Sequence, residues 1–157
     1  MEAEKVVKYV IAYHDLHGDL ISNKKLQKLL YYIEAWGLVH LNGIIDEDFE
    51  AWVYGPVIPD IYKFRNYEYS PIANNDIEHY DPAKYCESFH REFEDVGELI
   101  DTVLEKYGSM TSLQLELLSH SETPWIEARI GLEPFERGDR IIKKKTMASY
   151  YSSLIAK

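Results

Sequence analysis

Cysteine is almost missing from this chain: Cys86 is the single one among 157 residues. One thiol excludes a disulfide framework, and it excludes any zinc site built from several cysteines of one chain. Cys86 stands in "AKYCESF", a helix-like stretch with no glycine elbow beside it, so a small packed residue is expected there rather than a reactive thiol. Long apolar runs are missing too. None approaches the roughly 18 residues that a membrane span requires. Met1 to Lys8 alternate charge and valine without the apolar stretch of a signal peptide. A cytoplasmic location with no membrane partner is the expectation. There is no repeat, low-complexity tract or Gly/Ser linker, and the length suits one domain with a sizeable core, taken as the whole of residues 1–157.

Positive charge is scarce. The formal net charge is −10, and residues 43–101 hold 15 acidic against 4 basic side chains while the remainder holds 12 against 13. Such a field repels nucleic-acid phosphates, whose neutralisation supplies most of the affinity of DNA and RNA readers. Direct nucleic-acid binding is therefore not expected, and a basic protein is the natural complement.

What is present reads as mainly α: a single compact helical domain with a small β-hairpin inserted after the second helix. Val6, Val7, Val10, Ile11 and His14 fall on one helical face, which Gly18 closes. A second helix starts at Ser22 or Asn23, both good caps, and runs to about Leu41. Its polar positions Lys24, Lys28 and Glu34 form a thin line, and the rest is apolar or aromatic, as in a central helix. "DFEAWVYG" suits a short strand, with Ile44-Ile45 as its expected partner across Asp46-Glu47-Asp48. Gly55 permits an unusual backbone angle, Pro56 fits a first helical turn, and a short helix through Val57, Ile61 and Phe64 is expected to follow. Residues 67–81 read as a loop. Helical spacing resumes at Tyr85, Phe89 and Phe93, then at Val96, Leu99, Ile100, Val103, Leu104 and Tyr107 before Gly108. Thr111 with Gln114 resembles a capping box, Thr123-Pro124 reads as a cap followed by proline, and a last helix carries Met147, Tyr150, Tyr151 and Leu154. Lys143 to Lys145 are expected to form a solvated face.

Catalytic signatures fail one by one. Ser22-x-x-Lys25 lacks its S-D-N and K-T-G partners. His14, Asp15, His17 and Asp19 fall at a helix end, where histidine commonly satisfies carbonyls rather than a metal. His120-x-Glu122 with Pro124 echoes the zinc-deaminase pattern, but Trp125 stands where a cysteine is needed. No phosphate-binding glycine loop and no nucleophile–base–acid set stands out. The chain is read as a non-enzyme without metal or cofactor.

Tyrosine is the excess that speaks, with thirteen in the chain. Several lie in the acidic middle, and tyrosine is enriched where proteins bind one another. The expected partner-binding surface is the acidic, tyrosine-rich stretch 60–95, with Tyr62, Tyr67, Tyr69, Glu78, Tyr80 and Asp81 as candidate contacts.

"ISNKKLQKLLYYIEAWGL", "FEAWVYGPVIPDIY" and "YGSMTSLQLELLSHSETPWIEAR" resemble, in order and spacing, the three signature blocks of the Panacea (SocA-like) antitoxin domain. They span residues 21–129. The matching positions are Leu26, Lys28, Leu29, Tyr31 and Trp36; then Trp52, Tyr54, Gly55, Pro56 and Val57; then His120, Glu122, Pro124 and Trp125. Most are read as scaffold, since a leucine helix, tryptophans and prolines are what a core and its helix starts require. The resemblance implies a non-enzymatic antitoxin that neutralises a protein toxin by direct binding. Its alternatives are an adaptor that delivers a toxin to an ATP-dependent protease, or a phage or mobile-element regulatory protein. Some members of that family add DNA-binding segments, and none is expected within these 157 residues.

Overall fold

The structure is a computed structural model that describes residues 1–63 and 72–155. The sequence readings at Phe64, Tyr67 and Tyr69 lie outside the described residues.

Helix α1 (Ala3–Leu16) buries Val6, Val7, Val10, Ile11 and His14, the face that the spacing predicts. His14 Nδ1 donates to the Val10 carbonyl at 2.7 Å, and Gly18 turns the chain away with φ +73°. Helix α2 (Asn23–His40) starts on Ser22, whose hydroxyl accepts the Lys25 amide at 3.2 Å. Leu26, Leu29, Leu30, Tyr31, Tyr32 and Ile33 are all fully buried, so α2 is the axis of the core.

Two positions of the thin polar line of α2 are buried: Lys28 is only 2% exposed and Glu34 only 1%. Glu34 is tolerated inside because its oxygens are satisfied. Oε1 accepts the amides of Ile44 at 2.8 Å and Ile45 at 3.0 Å, and Oε2 lies 2.8 Å from Lys144 Nζ. The same bonds explain why Ile44-Ile45 is not a strand, since its amides are taken by a side chain. Glu47, in the Asp46-Glu47-Asp48 run, accepts the Ala3 amide at 2.8 Å and so favours the positive end of α1.

Strand β1 (Phe49–Trp52) is instead central, with β2 (Gly55–Val57) on one side and β3 (Ile141–Ile142) on the other, both antiparallel. Glu50 faces Val57, Ala51 faces Pro56, and Phe49 faces Ile142. Gly55 and Pro56 therefore form a strand, not a helix start. Pro56 is accepted because β2 is an edge strand with one neighbour, so a missing amide breaks no second ladder. Helix α3 (Pro59–Lys63) begins at the next proline.

Helices α4 (Pro82–Glu92) and α5 (Glu94–Tyr107) are two elements, broken at Phe93 where φ is −132° and ψ 62°. Cys86 is buried on α4, and burial pushes its thiol up to about 11. Helix α6 (Ser112–His120) opens with the predicted reciprocal capping box of Thr111 and Gln114. Helix α7 (Thr123–Ala128) is capped at Glu122 rather than Thr123. Helix α8 (Lys144–Ile155) buries Met147 and Tyr151 against α2. Its lysine run is not simply solvated, because Lys144 turns inward to Glu34 and to the Ile45 carbonyl. The fold is mainly α with one small antiparallel sheet.

Candidate functional site

The three sequence blocks meet around the tight Val53–Tyr54 turn between β1 and β2. Gly55 follows with φ +117°, and a Cβ there would come within 3.4 Å of both Lys28 Cε on α2 and Ser119 Oγ on α6. Those distances are ordinary contact, so it is the positive φ that calls for glycine where the hairpin packs onto both helices. From α2, Gln27 Oε1 accepts the Ile58 amide at 2.9 Å, holding the chain just after the hairpin. From α7, Trp125 Nε1 donates to the Trp52 carbonyl at 3.0 Å. Arg129 Nη1 donates to Ala51 O at 2.9 Å, while Nη2 donates to the Glu133 and Glu136 carbonyls at 3.2 and 2.6 Å. One buried guanidinium thus ties β1 to the loop 130–138.

Two clefts flank the turn. The first, of about 760 Å³, is lined among others by Lys28, Trp52, Tyr54, Tyr62, Arg137 and Asp139. Trp52 packs edge-on against Tyr62 at 5.1 Å and donates to Glu50 Oε1 at 2.9 Å. The second, of about 700 Å³, is lined among others by Tyr54, His120, Trp125, Arg129 and Phe135. His120 stacks on Trp125 with centroids 3.9 Å apart, and Arg129 lies 5.2 Å from the same tryptophan ring. Burial, more than any neighbouring charge, holds the His120 imidazole below its ordinary pKa, and its Nε2 has no hydrogen-bond partner among the described residues. Lys24 bridges the two sides, 3.4 Å from Glu116 and 5.0 Å above the Tyr54 ring.

The motif residues divide accordingly. Leu26, Leu29 and Tyr31 are in the core. Trp36 is half-buried and donates to the Tyr107 hydroxyl at 2.9 Å. Glu122 is a buried hub whose Oε1 accepts the hydroxyls of Tyr32 at 2.6 Å and Tyr151 at 2.8 Å, and the Tyr151 and Tyr31 hydroxyls lie within hydrogen-bond distance at 3.1 Å. Burial raises the Glu122 pKa, against the pull of those two hydrogen bonds. Lys28, Trp52, Tyr54, Val57, His120 and Trp125 reach the clefts, and Tyr54 is 56% exposed.

The candidate contacts of the acidic stretch are scattered by comparison. Tyr62 lies in the first cleft. Tyr80 donates to Asp15 at 2.6 Å, and Asp81 accepts the Lys84 amide at 3.2 Å as the cap of α4. Glu78 is well exposed beside His79. The loop from Arg129 to Asp139 had no role in the sequence reading, although it walls both clefts. Its signal was Ile130 and Phe135, two large apolar residues set among glycine and proline in "RIGLEPFERG".

Among the described residues no group of three or more His, Cys, Asp or Glu is placed to hold a metal ion, and no described helix is long and apolar enough to cross a membrane. What the clefts offer is aromatic and aliphatic surface on a fixed frame, the make-up of a binding surface. Residues 26–126 match the family described as Antitoxin SocA-like, Panacea domain. Antitoxin SocA of Caulobacter vibrioides (strain NA1000 / CB15N) is 36% identical over 113 residues, covering 67% of this chain. The chain spans 58% of that relative's length. No solved structure matches the chain significantly. The match takes in β1, β2, Glu122 and the α2, α6 and Trp125 sides of the clefts, while Tyr151 and the loop from Arg129 to Asp139 lie beyond it, and the chain belongs to the Antitoxin SocA-like, Panacea domain family.

Proposed function

We propose that this protein is the antitoxin of a toxin–antitoxin pair, and that it silences a protein toxin in the cytoplasm by stoichiometric binding rather than by chemistry of its own. Family membership across residues 26–126 carries this reading, with a relative named as an antitoxin beside it. A net charge of −10 supports a basic partner, because opposite fields speed encounter.

The test is co-expression of the protein encoded beside this chain's gene, with and without the chain, followed by titration of the two purified proteins. Growth arrest by the neighbour alone, relief by the pair, and inhibition that saturates at a fixed ratio are expected. Relief that requires an active ATP-dependent protease and a falling toxin level would replace blocking with delivery for degradation.

A further inference from the structure

Five large apolar side chains stand in water around the His120–Trp125 cleft: Tyr54, Leu117, Ile126, Ile130 and Phe135. Phe135 is 85% exposed and Ile130 68%. A single exposed leucine needs no explanation, but five such residues from the hairpin turn, α6, α7 and the loop 130–138, converging on one cleft, do. The walls are also fixed in advance. Trp125 is bonded to β1, and the Arg129 guanidinium is directed at three carbonyls of its own chain. A pre-formed apolar cleft loses little freedom when it is filled.

The charges say what would fill it. Of the ionisable groups lining the cleft, Arg129 has its donors on carbonyls, Glu116 is paired with Lys24, and the His120 imidazole is stacked on Trp125 with its pKa lowered by burial. Glu133 remains, exposed and without an ion pair among the described residues, next to the exposed Glu136. We infer that this cleft docks an apolar segment of the protein partner carrying lysine or arginine beside its apolar side chains; the inference rests on the antitoxin reading above. A second copy is the poorer occupant, since it would set two chains of net charge −10 against each other.

Two synthetic 14-residue helices, one of leucine and lysine and one with glutamate replacing lysine, are titrated against the intact chain, alongside the protein encoded by the neighbouring gene. The leucine–lysine helix is expected to bind at one to one, and Leu117→Glu or Ile130→Glu to weaken both it and the neighbour by at least about tenfold. Leu20→Glu, on a residue 78% exposed and outside the cleft, is expected to change neither. Both cleft substitutions lie on exposed positions, and unchanged thermal melts confirm that the fold is kept. Equal affinity for the two helices, or equal binding by the cleft variants, overturns the inference. So does a dimer of the chain alone that Phe135→Glu dissolves. If the neighbour binds the wild type and the cleft variants alike, the antitoxin reading stands and the docking site falls. If the neighbour binds nothing while the helices still discriminate, the reverse holds.

Discussion

Gly55 is the position where one hydrogen atom decides the hairpin. At φ +117° an L side chain is strained whatever the space, even though a Cβ would meet Lys28 and Ser119 at ordinary contact distance. Gly55→Ala should cost about 1–3 kcal/mol. Melting would show it as a fall of about 2–4 °C per kcal/mol in a domain of this size, and an unchanged Tm would mean that the turn relaxes freely. Glu122 makes a subtler forecast. Its carboxyl sits above its ordinary pKa because it is buried. A carboxyl raised in this way favours the fold below its unfolded value near 4.5, and that favour is lost as pH climbs through the folded value. Glu122→Gln cannot titrate. The difference in Tm between wild type and Glu122→Gln should therefore move in favour of the wild type between pH 7.5 and pH 5; a constant difference, or one of opposite sign, refutes the raised carboxyl.

Between elements, the Glu34–Lys144 pair joins α2, the loop at Ile44-Ile45 and α8 across 110 positions of sequence. Removing one member strands the other: Glu34→Ala should cost about 3–5 kcal/mol. Lys144→Ala should cost less, because the ammonium is partly exposed, and the double variant should fall short of the sum of the two. Additive losses in urea melts would show that the pair is not coupled. This contact also marks the limit of what the sequence discloses. Local signals were legible: the apolar face of α1, the Ser22 cap, and the capping box at Thr111. Each depends on residues within one or two helical turns. Partners far along the chain were not legible. β1 pairs with Ile141-Ile142, a two-residue strand too short to show any period, so the nearer Ile44-Ile45 looked like the better match. Glu34 and Lys28 read only as part of a thin polar line because a single charged residue on a helix carries no mark of the amides or cations waiting for it. Gly55-Pro56 read as a helix start because only the topology shows that β2 is an edge. For the site, Trp52, Tyr54, His120 and Trp125 were visible as motif positions, but their convergence on two clefts depends on Arg129 and the loop after it, which no spacing rule singles out.

For the molecule as a whole, charge and apolar surface divide the labour. The acidic excess of residues 43–101 acts over distances of about a Debye length, roughly 8–10 Å near physiological salt. Association with the proposed basic partner should therefore slow as salt is raised from 50 to 500 mM, while dissociation, governed by close contacts, changes little. Glu78→Lys, on an exposed side chain, should lower the association rate without altering the melt. Asp81→Lys should do both, because Asp81 also caps α4 and losing a cap costs about 1 kcal/mol. Stopped-flow binding at several salt concentrations checks each, and a salt-independent rate would rule steering out.

The sheet also sets a clock. Phe49 and Glu50 wait for Ile142 and Ile141, and the hub of tyrosines waits for Tyr151, so a ribosome has to deliver about ninety further residues before the middle strand is paired on both sides. At about 5–20 residues per second that is a delay of seconds, spent with the central helix uncovered. A messenger cut short before codon 141 yields a chain with nothing to close it. Binding by such a molecule, on the function proposed above, comes on as a step once residues 141–151 have been made, and not in proportion to how much of the message has been read.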